Sequence, residues 1–408
     1  MNKLFTAKNF CFYLIFSVFI SCPAFELDDF WSAQPKEITK DELRKARFLQ
    51  GLYPDEMFIY DRKSKILGFP AKEVIFRFSR ENKFRSAEIM IDFTNRRHPE
   101  ANGAQRIQNT ENRLSDKISA VLQCRPAISD HSLPNGRIFS IKKWCSDNYR
   151  FYVYCSLTRN IKNLSIVFLR IVPVSEPEAS FFKLLRTQKT TLYRSQDPDG
   201  GNMLKIPFRS QLSNTKGCAF TTTARILNYM GSEINSLTVR ILWDKPDNKK
   251  AKSKITNAAI LGYKHKVLQL NRRNIVEKSC LTFISRYNEQ AKTMHRSPIK
   301  TQDGGKSWND SLGKLQPEVL QKVNLDFIDA QKYEDYRNTI VKLINEGHPV
   351  YWFVVRCING AHARAIIGYN LKKDIIYYSD SWSPKQEVKT MPFVSAYLMT
   401  RLLEYYTY

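Results

Sequence analysis

An apolar run over residues 10–20, interrupted by Ser17 alone, stands near the start of the chain, and beyond it the apolar positions settle into patterns of period two and period 3.6. Residues 38–50 (ITKDELRKARFLQ) have the spacing of a short amphipathic helix. Strand-like runs follow at 73–78 (EVIFRF) and 85–93 (RSAEIMIDF). Residues 101–123 contain no proline and set Ile107, Leu114, Ile118, Val121 and Leu122 at helical spacing. Three more strand-like runs come next, at 137–145, 149–157 and 164–172. The order β-β-α-β-β-β predicts an α+β domain, an antiparallel sheet covered by a helix.

The segment 175–201 breaks this regime. Its end, Ser195-Gln196-Asp197-Pro198-Asp199-Gly200-Gly201, is a cluster of turn formers, and the chain starts afresh at Leu204. The expected organisation is 1–24 as an export signal, 25–195 as an N-terminal α+β domain, and 196–408 as a second domain. Within the latter, Phe220, Ala224 and Leu227 mark one face of a helix over 219–230, with Gly231 as its stop. Late strands are expected at 351–355, 361–369 and 374–380. The long, basic stretch 235–334 is read as a cap or substrate wall.

Composition changes this picture in three ways. First, 43% hydrophobic and 25% charged residues in 408 exclude a disordered or fibrous chain. Second, Lys3 and Lys8 precede the apolar run, and Cys22-Pro23-Ala24 supplies small residues where a signal peptidase cuts. The run is short for a membrane span, so a secreted or envelope protein is expected, with no transmembrane domain in the mature chain. A loose lipobox, Phe19-Ile20-Ser21-Cys22, offers lipid anchoring at Cys22 as a lesser reading. Third, the net charge is +25, and loss of residues 1–24 leaves about +23. Such a field favours anionic envelope polymers or acidic peptides. The dense run at 245–254 (KPDNKKAKSK) reads as a solvated loop, and no nucleic-acid partner is expected.

Eight cysteines stand at 11, 22, 124, 145, 155, 218, 280 and 357, with no CxxC pair. A zinc ribbon or thioredoxin-type redox site is therefore not expected, nor any cofactor or metal. A disulfide among Cys124, Cys145 and Cys155 is one option in an oxidising compartment.

The candidate chemistry lies in Gly217-Cys218, Gly360-Ala361-His362 and Ser379-Asp380. A thiol heading a helix meets free backbone N–H groups, which lower its pKa. Taken alone, Cys218 is more simply a small buried hydrophobe. A tight hairpin centred on Leu371 makes His362 and Asp380 direct cross-strand neighbours, with Cβ atoms about 5 Å apart. A carboxylate there fixes the imidazole tautomer and supports its charged form, as a general base needs. A structural His–Asp pair is the competing explanation, and the joint arrangement with Cys218 favours catalysis.

With Gln211-Leu212-Ser213-Asn214-Thr215-Lys216-Gly217-Cys218, Gly360-Ala361-His362 and Asp380-Ser381-Trp382 on the page, the chain resembles the papain-like cysteine peptidases. It looks closest to the family 39-like branch, related to the leader peptidases of bacteriocin exporters. The order of Tyr229-Met230-Gly231, Gly347-His348-Pro349-Val350 and the His and Asp strands is similar to that branch. The resemblance covers 204–234 and 335–383, more weakly between. It implies Cys218 as nucleophile, His362 as base, Asp380 as orienting residue, Gln211 as oxyanion donor, and Trp382 shielding the His–Asp pair. The resulting expectation is an exported, secreted thiol hydrolase acting on a peptide or protein substrate. A non-catalytic basic binding protein and a thiol acyltransferase are the alternatives.

Overall fold

The structure is a computed structural model that describes residues 38–45, 49–50, 56–59, 65–79, 81–94, 101–133, 137–158, 164–178, 194–197, 201–206, 217–232, 234–243, 264–299, 311–357, 360–381 and 388–407. It is α+β, with antiparallel sheets. The chain divides into two compact units, Met1–Phe181 with Ile241–Lys254, and Phe182–Arg240 with Ile255–Tyr408. Among the described residues no helix is long and apolar enough to cross a membrane.

The first unit begins with α1 (Lys40–Lys45), β1 (Leu49–Gln50) and β2 (Glu56–Ile59), followed by the ribbon β3 (Lys65–Ile66) and β4 (Phe69–Pro70). Then come β5 (Glu73–Phe78), β6 (Phe84–Phe93), α2 (Gly103–Leu122) and β7 (Ala127–Ser132). The last strands are β8 (Ile138–Cys145), β9 (Tyr149–Ser156) and β10 (Ile166–Pro173). Eight of these strands form one antiparallel sheet in the order β1-β2-β5-β6-β10-β9-β8-β7.

α2 lays Ile107, Leu114 and Ile118 on the sheet, in one core with Phe76, Ile89, Phe151 and Leu169. Val121 instead is exposed at the end of the helix. Trp144 of β8 reaches the same helix, donating from Nε1 to Ser119 Oγ at 3.0 Å. The helix expected over 38–50 is a correction: among the described residues of that stretch Lys40–Lys45 are helical, and Leu49–Gln50 pair with Phe58 and Met57 as strand. Pairing with β2 overrides the helical spacing there. Cys124, Cys145 and Cys155 are free thiols.

The second unit holds β11 (Arg194–Asp197), β12 (Gly201–Leu204), α3 (Cys218–Tyr229), the first part of α4 (Ser236–Trp243) up to Arg240, β13 (Lys264–Leu270) and α5 (Arg273–Thr293). After them come α6 (Pro317–Leu320), α7 (Ala330–Glu346), β14 (Val350–Cys357), β15 (Gly360–Asn370) and β16 (Ile375–Asp380). β17 (Val388–Pro392), α8 (Phe393–Met399) and β18 (Thr400–Thr407) complete it. The sheet runs β11-β12-β15-β14-β18-β13, with β16 paired to β15 and β17. α7 ends where Gly347 takes φ +87°, a left-handed cap that glycine adopts without strain. The stretch expected as a cap contributes to the body of the unit: β13 pairs with β18, and the Cys280 thiol of α5 meets the Leu398 carbonyl.

Candidate active site

Cys218 is the first residue of α3. That helix buries Ala224, Ile226 and Leu227 against β14 and β15, and Thr222 Oγ1 donates to the Ala363 carbonyl at 3.1 Å. Along β15, Ala361-His362-Ala363-Arg364-Ala365 alternates methyl groups with functional side chains. The period of two puts His362 and Arg364 on one face and leaves only methyls on the other.

The half-buried thiol of Cys218 lies within reach of the Ala363 backbone, next in sequence to His362. Burial pushes its pKa up. The N–H groups of Ala363 and Ala219 act downward, the negative charge of Asp380 acts upward, and burial wins. This corrects the expectation of a helix-lowered thiol pKa: desolvation of the charged form outweighs the helix terminus.

His362 and Asp380 meet directly, Nε2 to Oδ1 at 2.7 Å, with His362 1% and Asp380 5% exposed. Their register differs from the expected one. Asp380 stands directly opposite Arg364, and His362 is its diagonal neighbour, two residues further along the same face. The turn sets the difference, being centred between Lys372 and Lys373 rather than on Leu371, and a β-bulge takes one residue of the offset back. The pairs Asn370↔Ile375, Tyr369↔Ile376 and Gly368↔Tyr377 give way, across the extra residue Ile367, to Ile366↔Tyr378, Ala365↔Ser379 and Arg364↔Asp380. Without that shift, the register set at the turn would bring Ala365 opposite Asp380 and send His362 to the other face.

Two arginines complete the surroundings. Arg364 is 3% exposed, donates from Nε to Asp380 Oδ2 at 3.2 Å, and lies over the rings of Tyr378 (4.6 Å) and Trp352 (5.6 Å). Trp352 is fixed in turn by its Nε1 bond to Thr400 Oγ1, 2.8 Å. Arg225 of α3, fully buried, donates to Ser379 Oγ and to the Asp380 carbonyl. It thereby ties the helix that carries Cys218 to the strand that carries Asp380. Sequence reasoning passed over both. The signals were there: Arg364 shares the period-two face of His362, and Arg225 is the one charge in the helical stretch AFTTTARILNYM.

Of the expected site residues, His362 and Asp380 are in direct contact, and the Cys218 thiol reaches the backbone of Ala363. Gln211 and Trp382 lie outside the described residues, as do the apolar run with Cys22 and the lysine-rich run 245–254.

Comparison with known proteins matches residues 203–405 to the Peptidase_C39 like family. No curated protein and no solved structure matches the chain. The matched span runs from β12 into β18 and includes α3, β15 and β16. Residues 203–405 thus form a domain similar to the Peptidase_C39 like family.

Proposed function

We propose that the protein is an exported cysteine peptidase with a papain-like arrangement, using Cys218 as nucleophile, His362 as base and Asp380 as the residue that orients the imidazole. The observation that carries this reading is the buried His362–Asp380 contact of 2.7 Å beside the strand position that the Cys218 thiol reaches. With Nε2 held by the carboxylate, Nδ1 is the nitrogen left to exchange a proton with sulfur. The Cys218 proton moves to Nδ1 as sulfur attacks the scissile carbonyl, and the imidazolium then protonates the departing amine. Water deprotonated by Nδ1 releases the acid and restores the thiol. The Cys218 backbone N–H, and the Gln211 side chain by family resemblance, serve as oxyanion donors.

The test is hydrolysis of a diverse peptide library by the full chain, read by mass spectrometry. Cys218→Ala and His362→Ala should each lower the rate by about a hundredfold or more. Cleavage that survives Cys218→Ala would sink the assignment. Masses showing amine transfer rather than water addition would indicate an acyltransferase. The net charge of +25 and the raised thiol pKa favour a second reading, a binding protein of anionic envelope polymers that retains the fold without turnover. That reading predicts tight, salt-sensitive polymer binding and no Cys218-dependent cleavage.

A further inference from the structure

A buried carboxylate next to an imidazole ordinarily lends it a full negative charge and raises its proton affinity. Asp380 is not free to do so. Its second oxygen accepts from Arg364 Nε at 3.2 Å, and that guanidinium is itself buried and lies over the rings of Tyr378 and Trp352. Aromatic faces and a carboxylate edge together satisfy a planar cation in one orientation, of which lysine would keep the charge but not the planar fork.

We propose that Arg364 is a positioning residue, fixing both the rotamer and the effective charge of Asp380, so that His362 meets a neutral Arg–Asp pair rather than a bare carboxylate. The inference rests on the peptidase reading for its catalytic meaning. Its physical content does not. On this proposal the proton passes from Sγ to Nδ1 only as the sulfur–carbon bond forms. This is general-base use of histidine in place of a standing thiolate–imidazolium pair.

Other groups around the triad act on the same equilibrium and stay constant in the comparison below. From α3 they are Cys218 and Arg225, the latter on the Asp380 carbonyl. Arg273 of α5 donates to the Gly360 carbonyl near His362. Tyr351 of β14 couples to Cys218, and Tyr336 of α7 meets Thr400 Oγ1. Tyr378 of β16 lies under Arg364.

The test is the titration of His362 in the full chain, by NMR with ¹³C-labelled histidine. There are six histidines, and His362→Gln assigns the signal. Arg364→Met should raise the His362 midpoint by about one pH unit, tenfold in proton affinity, and Arg364→Lys should recover most of that shift. A midpoint that stays put or falls in a folded Arg364→Met protein overturns the proposal. Should that variant not fold, the charge-neutral double change Arg364→Met with Asp380→Asn decides, because removing both members of a buried pair is well tolerated. The proposal requires its midpoint to stay within about half a unit of the unmodified chain, whereas a fall of about one unit or more overturns it. Titration needs no substrate, so its failure is distinct from failure of the peptidase reading, which would show as cleavage persisting in Cys218→Ala. Where hydrolysis is found, the acid limb of kcat/KM should move with the midpoint.

Discussion

At Cys218 two familiar effects oppose each other, and the outcome decides how the thiol behaves. The helix terminus and the Ala363 N–H favour thiolate, while burial and the Asp380 charge favour thiol, so the neutral form prevails. Iodoacetamide labelling at Cys218 should therefore rise with pH through the alkaline range and show no plateau near neutrality, a profile that peptide mass mapping resolves. Exposed Cys145 should label freely, whereas Cys155 and Cys280, each pushed up to about 12 by burial, should label only on unfolding. The same shifts link pH to stability. Thiols whose folded pKa exceeds the unfolded one bind more protons in the native state between about 9 and about 12. Stability is then fully present below that window and lost as pH rises through it, so the urea midpoint should fall between pH 8 and 10.5. The His–Asp partnership itself was legible from residue types and spacing. The role of Arg364 was not: an arginine on a strand reads as solvated until its aromatic neighbours are known.

At the level of elements, legibility followed the continuity of apolar runs. β5, β6, β8, β9 and β10 each carry such a run, and their limits agree with the sequence pattern to within a residue or two. β7 (AISDHS) has no alternation because it is the largely exposed edge of its sheet, where pairing alone makes the strand. The hairpin β15–β16 was found as two strands, but its turn lies beyond Leu371, and the bulge that takes back one residue of that offset has no sequence signature, so the pairing at Asp380 is displaced by a net two. Two substitutions probe how these elements hold the site. Arg225→Met removes donors from Ser379 Oγ and the Asp380 carbonyl, both buried. A loss of about 3 kcal/mol in urea unfolding is expected, together with loosened coupling between α3 and β16. Gly368→Ala would set a Cβ 2.5 Å from the Asn202 carbonyl oxygen and 3.0 Å from Tyr377. Since the first contact is backbone, β12 must shift, and overpacking of this kind costs about 1–3 kcal/mol. A thermal midpoint unchanged from the unmodified chain would refute that tight fit.

For the molecule as a whole, the sequence pattern anticipated the α+β class with antiparallel sheets, while periodicity gave little warning that the stretch 235–334 supplies β13 and α5 to the second unit. That stretch is basic and polar, and β13 is mostly exposed, so period and burial carry almost no information there. The charge of +25 belongs to this scale too. Binding of the full chain to a soluble polyanion should weaken steeply as salt rises from about 0.05 to about 0.5 M, as Debye screening shortens the reach of the field. Equal binding at both salts would mean that the charge steers nothing. The extra residue Ile367 has its own consequence for how this hairpin tolerates changes in length. Between the pairs Gly368↔Tyr377 and Arg364↔Asp380, β15 spends one residue more than β16. β15 thus has slack and β16 has none. Deleting Ile367 takes up the slack and leaves Arg364 opposite Asp380, so His362 keeps its carboxylate. Deleting one residue from β16 in the same interval widens the offset and drives the partners apart.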